Sequence, residues 1–224
     1  MKLSHYADFA NLFIYPDYKF PKFVSLIISK ISSKKFNGLY VNATKELQIF
    51  YKFLPVNNVS AMEEIYTRSF DVQSATTLDI GYVLFSDDYK RGELLVHLNK
   101  EYKKLNFNCG SELGDYLPNI LCLISSHSDK LFLFELVQEL LVPALCKMIQ
   151  EFDVSRVKKR NEFYKTYYKT LIDDKNVALY SYALKSLYYT LISDFNIKDM
   201  NYNVNISDFL VNVQREFKTE REYK

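Results

Sequence analysis

Asp-Asp-Tyr-Lys-Arg-Gly-Glu-Leu-Leu-Val-His-Leu-Asn-Lys-Glu-Tyr-Lys-Lys-Leu, residues 87 to 105, places its apolar side chains at helical steps. Leu94, Leu98 and Leu105, or Leu95, Leu98 and Tyr102, fall on one stripe, with charged residues around the rest of the cylinder. Asp87 and Asp88 stand in front of it as N-cap candidates. The same spacing recurs along most of the chain, and strand-like alternation is nowhere sustained. Other start signals agree: Asn42 precedes a run to Leu54, Ser60 with Glu63 makes a capping box, and Ser128 and Asp129 precede Leu131.

These signals predict an all-α protein of roughly ten helices, near 4–14, 20–34, 42–54, 60–71, 74–85, 88–105, 115–125, 129–150, 155–173, 176–194 and 206–215. No fixed-period repeat and no Ser/Gly/Pro-rich linker divides it, so residues 1–215 read as a single globular helical domain. Residues 216–224 form a charged tail expected to fray. The 224 residues are 48% hydrophobic, enough for a large core, and only 5 Gly and 5 Pro disfavour turn-rich β architectures.

Composition narrows function by exclusion. With 29 basic and 27 acidic residues the net charge is +2, too balanced to signal nucleic acid or an anionic membrane. Cys109, Cys122 and Cys146 form no Cys-x-x-Cys pair, and a reducing cytoplasm is expected. The first twenty residues carry Asp8 and Asp17 and lack a signal-peptide pattern. The most apolar stretch, Leu131 to Ile149, is broken by Glu135, Gln138, Glu139, Pro143 and Lys147, so it reads as a central core helix and not as a bilayer span.

No catalytic constellation is visible, and neither a metal site nor a cofactor is expected. His5, His97 and His127 lack ligand spacing, and Gly38, Gly81, Gly92, Gly110 and Gly114 stand singly, without a phosphate loop. Arg156, Lys158, Lys159, Arg160, Lys165 and Lys169, interleaved with Phe163, Tyr164, Tyr167 and Tyr168, could hold phosphates and stack bases, but on a helix they make a solvated face opposite an aromatic one. Ser-Glu-Leu-Gly-Asp-Tyr-Leu-Pro, Ser111 to Pro118, is more specific. Asp115 reads as an N-cap with Pro118 in the first turn, and Glu112 and Asp115 then sit beside amides that favour anions, at the edge of a groove.

Four motifs in order, Glu-Glu-Ile-Tyr-Thr-Arg-Ser-Phe-Asp at 63–71, Leu-Asp-Ile-Gly-Tyr-Val-Leu-Phe at 78–85, Arg91-Gly92 opening a helix, and Glu-Leu-Gly-Asp-Tyr-Leu-Pro at 112–118, resemble the nitrate reductase delta-subunit (NarJ-type) family within the TorD-like molybdoenzyme maturation chaperones. Ile-Tyr-Pro-Asp at 14–17 is similar to that family's first-helix ending. Gly114 stands where the family usually has Pro, and Cys122 where an acidic residue often follows. Beyond Ile149 the resemblance fades.

The resemblance implies a cytoplasmic, non-enzymatic, all-helical chaperone, of the kind that serves nitrate assimilation or anaerobic respiration. Its partner would be the catalytic subunit of a molybdopterin and iron–sulfur oxidoreductase, whose N-terminal signal or signal remnant it holds until the molybdenum or tungsten cofactor is inserted. It implies neither nucleic-acid binding nor stable membrane insertion. The expected peptide-binding residues are Tyr66, Phe70, Asp71, Tyr82, Arg91, Glu112, Asp115, Tyr116 and Pro118, with Arg91 also expected to brace helices by pairing with Asp71 or Asp87. The alternatives are a helical scaffold in another complex or, third, a nucleic-acid-binding helical protein.

Overall fold

A computed structural model describes residues 3–33, 38–167 and 178–198. Among the described residues the protein is one all-helical domain with no strand. In chain order it contains α1 (His5–Ala10), α2 (Phe20–Ile31), α3 (Val41–Phe53), α4 (Val59–Phe70), α5 (Ile80–Phe85), α6 (Tyr89–Lys104), α7 (Leu117–Ser126), α8 (Lys130–Glu135), a π-helical segment (Leu136–Leu141), α9 (Val142–Gln150), α10 (Val154–Tyr167) and α11 (Leu179–Asp194). The predicted helix at 206–215 and the charged tail lie outside the described residues.

The centre is built from helices with too much apolar surface for a single stripe. In α11 Leu179, Tyr180, Ala183, Leu184, Leu187, Tyr188 and Leu191 are all buried, packed on α3 and α9, while α7 buries Leu117, Ile120, Leu121, Leu123 and Ile124 and packs on α1. Such all-round burial marks core helices. α6 is the opposite case: of its sixteen residues only Leu98 and Tyr102 are fully buried, because the Leu94–Leu98–Tyr102 stripe is narrow. Its cap is the expected one, Asp88 accepting from the Lys90 amide, and Asp129 likewise caps α8 by accepting from Leu131 and Phe132.

Several boundaries differ from expectation for local reasons. The stretch expected as a helix over 129–150 is helical from Lys130 to Gln150 but widens to π geometry at Leu136–Leu141. Pro143 explains this, since its ring has no N–H and crowds the carbonyl one turn back. Only the start of the segment is exposed, with Leu131 77% and Phe134 40% accessible, while Leu133, Leu136, Val137, Leu141 and most of α9 are buried in the core. The cap of α4 is Asn58, accepting from the Ala61 amide, and not the Ser60–Glu63 box. Asn42 lies inside α3.

The largest difference is at 74–85, where helix begins only at Ile80. Residues 74–79 form a non-helical strap held by backbone and side-chain partners. Ala75 and Thr76 amides donate to Arg68 and Ser69 carbonyls, and the strap's end bridges the 115–117 segment through Ile80 N to Asp115 O (2.9 Å) and Leu117 N to Leu78 O (2.8 Å). Two buried arginines fix it further. Arg160 Nη1 donates to Ala75 O (3.1 Å) from α10, and Arg68 Nη1 caps the Gln73 carbonyl (2.5 Å). No helix among the described residues is long and apolar enough to cross a membrane.

Candidate functional site

Where the strap meets the start of α7, the chain leaves a cleft of about 580 Å³. The C-terminal end of α4 supplies Tyr66, Phe70 and Asp71, the strap supplies Thr77, Leu78 and Asp79, the loop before α7 supplies Glu112 and Tyr116, and the turn after α1 supplies Ile14 and Tyr15. The volume equals roughly one turn of an α-helix with its side chains, about 500 Å³ from the helical pitch and diameter.

The walls are aromatic and pinned. Tyr66 packs edge-on against Tyr15 and Phe70, with both centroid separations 5.4 Å. The Tyr66 and Tyr116 hydroxyls lie 3.2 Å apart, and both donate to the Phe13 carbonyl, at 3.2 and 3.0 Å. Burial first, then the neighbouring Tyr116 hydroxyl, pushes the Tyr66 phenol far above its ordinary value, so it stays a neutral donor.

The rim is acidic: Asp71, Asp79 and Glu112 line the cleft, and among the described residues no Lys, Arg or His does. Burial, and after it the Asp115 charge, raises the Asp79 carboxyl above its usual range, with Arg91 acting against both.

Five of the nine expected residues, Tyr66, Phe70, Asp71, Glu112 and Tyr116, thus come together at one cavity. The other four sit behind it. Asp115 is fully buried and is not an N-cap; α7 starts at Leu117, with Tyr116 at the cap position. Its carboxylate accepts from Arg91 Nε at 2.8 Å, and Arg91 also reaches Asp79 (3.2 Å) and Asp87 (3.9 Å). Asp87 was an expected partner; Asp71 is not among these, and the dominant partner is Asp115. Tyr82 lies under the Arg91 guanidinium, 5.5 Å from ring centroid to carbon, and Pro118 is buried in the first turn of α7. Ile14, Tyr15, Thr77, Leu78 and Asp79 were not among the expected site residues, although Ile14-Tyr15 and Leu78-Asp79 fall within quoted motifs.

Two glycines show how tightly this region is built. A Cβ on Gly114 would come within 3.2 Å of the Tyr102 ring, whose hydroxyl donates to the Gly114 carbonyl at 2.8 Å, so a side chain there would crowd this packing. A Cβ on Gly81 would stand 2.6 Å from Asp115 Oδ2 and 3.0 Å from Arg91 Cγ. Gly81→Ala should therefore cost about 2 kcal/mol, the overpacking term outweighing the better helix propensity of Ala, as a lower urea midpoint at unchanged m-value.

Elsewhere, the basic cluster is smaller than the sequence suggests. Arg156 pairs with Glu151 at 2.8 Å and Arg160 is buried, leaving Lys158, Lys159 and Lys165 exposed; Tyr168 and Lys169 lie outside the described residues. His5 bonds Asp194 (2.7 Å) and His127 bonds Glu101 (3.2 Å), partners far away in sequence. Compared with protein-family models and with curated proteins, the chain matches none.

Proposed function

We propose that the cleft receives a basic, amphipathic peptide segment, and that the protein is a non-enzymatic chaperone. Its client would be the N-terminal segment of a molybdenum- or tungsten-containing oxidoreductase subunit, held in the cytoplasm until cofactor insertion. The observation that carries this reading is the cleft's composition: three carboxylates and four aromatic rings around a cavity that no Lys, Arg or His among the described residues lines, in a protein of net charge +2. Aromatic walls bury an apolar face, and the carboxylates select Arg or Lys on the client, Arg by bidentate geometry. The motif resemblance at 63–118 supplies the class of client.

Calorimetry of the protein with a synthetic peptide bearing two adjacent arginines ahead of an apolar run tests the peptide step. Binding that weakens steeply as salt rises is expected; salt-independent binding, or none, rejects it. A pull-down from a host cytoplasm tests the client, with a molybdopterin oxidoreductase catalytic subunit expected to dominate. Recovery of a different assembly would favour the scaffold reading.

A further inference from the structure

Of the four rings that line the cleft, Tyr15 is the one most open to solvent. It is 55% exposed, against 7% for Tyr66 and 8% for Phe70. This exposure is not that of a loose loop. Phe13, two residues earlier, is fully buried, and its carbonyl accepts from the hydroxyls of Tyr66 and Tyr116. Pro16, one residue later, is buried as well and biases Tyr15 towards extended backbone. The ring is thus anchored on both sides. It meets one other ring, Tyr66, edge-on at 5.4 Å, and an edge-on neighbour leaves at least one face of the Tyr15 ring uncovered.

Behind the cleft the protein already holds a guanidinium between a ring and carboxylates. Arg91 lies over the Tyr82 ring, 5.5 Å from its centroid, while its N–H groups donate to Asp115 (2.8 Å) and Asp79 (3.2 Å). Asp79 also lines the cavity, where Tyr15, Asp71 and Glu112 offer the same combination of ring and carboxylates to the outside. The inner set has its cation, and no described Lys, Arg or His fills the outer one. A guanidinium suits such a site because it is flat and weakly hydrated, so its face can rest on a ring while its N–H edge serves carboxylates. An ammonium is a strongly hydrated point charge and must give up more water for the same contact.

We propose that Tyr15 is the residue by which the cleft tells arginine from lysine, its ring serving as the platform on which a guanidinium of the bound segment stacks. The carboxylates alone attract either cation, and the ring adds the preference for the flat one. What matters is the aromatic face and not the phenol, whose oxygen has no hydrogen-bond partner among the described residues. This rests on the peptide reading of the cleft and names the side chain that the cleft takes.

The test uses two fluorescein-labelled amphipathic peptides, identical except that the arginines of one are lysines in the other, titrated with wild type, Tyr15→Phe and Tyr15→Leu. Wild type should bind the arginine peptide more tightly. Tyr15→Leu should weaken the arginine peptide about fivefold, the size of one cation–π contact, and the lysine peptide less than twofold. Tyr15→Phe should stay within about twofold of wild type for both, since it keeps the ring. The near-constant lysine affinity also shows that Tyr15→Leu is folded. Equal weakening of both peptides by Tyr15→Leu overturns the proposal, because the side chain then supplies apolar area only. A Tyr15→Phe variant as weak as Tyr15→Leu overturns it too, by assigning the effect to the hydroxyl. Wild type that binds both peptides equally overturns it and leaves the peptide reading intact, whereas wild type that binds neither overturns both.

Discussion

Replacing Arg91 by alanine should lower the unfolding free energy by about 3–5 kcal/mol at neutral pH, the range for breaking a buried ion pair from one side. Asp115 has no exposure at all and Arg91 only 14%, so the variant strands a carboxylate in the interior, where water cannot replace the guanidinium. Asp79 loses its cation as well and faces Asp115 alone. Arg91→Lys should recover part of the loss but not all, since a single ammonium cannot reproduce the Nε and Nη2 contacts to two different carboxylates.

The pH dependence has a definite sign. Asp79 already has a folded-state pKa above its ordinary value, so the native state holds its proton more tightly than the unfolded chain does, and stability falls as pH rises from the ordinary carboxylate range through the folded value. Arg91→Ala removes the influence opposing that shift, which widens the window. The variant should therefore be closest to wild type in mild acid and furthest from it at neutral pH. Urea midpoints across pH 4–7 check this, and a parallel offset at every pH would show that the carboxylates are not the cause.

Arg91 and its partners also show what was legible in the chain and what was not. Helical periodicity and the Asp88 and Asp129 caps depend on residues within one turn, so they could be read directly. Asn58 and Ser60 are both good caps two residues apart, and only the tertiary path of the preceding turn selects Asn58. The 74–79 strap looked helical because its apolar residues are spaced for either state. Its backbone is committed instead to Arg68, Ser69, Arg160 and the 115–117 segment, partners up to 85 residues away. Asp115 differs from expectation for a related reason: a short acid ahead of a helix resembles a cap, and only a guanidinium 24 residues earlier turns it into a buried anchor. At the cleft the aromatic and acidic residues within motifs were recognisable, whereas Ile14 and Tyr15 reach it through the folding of the first turn onto α4.

That correction decides which carboxylates to remove. Changing Asp115 would test the fold, so binding is better probed by Asp71→Asn with Glu112→Gln, two exposed rim residues that keep their shape and lose their charge. The double variant should bind the basic peptide about ten- to a hundredfold more weakly at low salt, since charge pairs across an interface couple by about 1.5 kcal/mol or more. It should also lose most of the salt dependence, because the remaining lining carboxylate, Asp79, is already engaged by Arg91. Its unfolding midpoint should stay near wild type, since exposed charges contribute little to stability. The combination separates two accounts of the cleft. If the acidic rim selects the ligand, affinity and salt slope fall together; if the aromatic walls do all the binding, affinity survives at every salt concentration and Tyr66→Ala abolishes it instead.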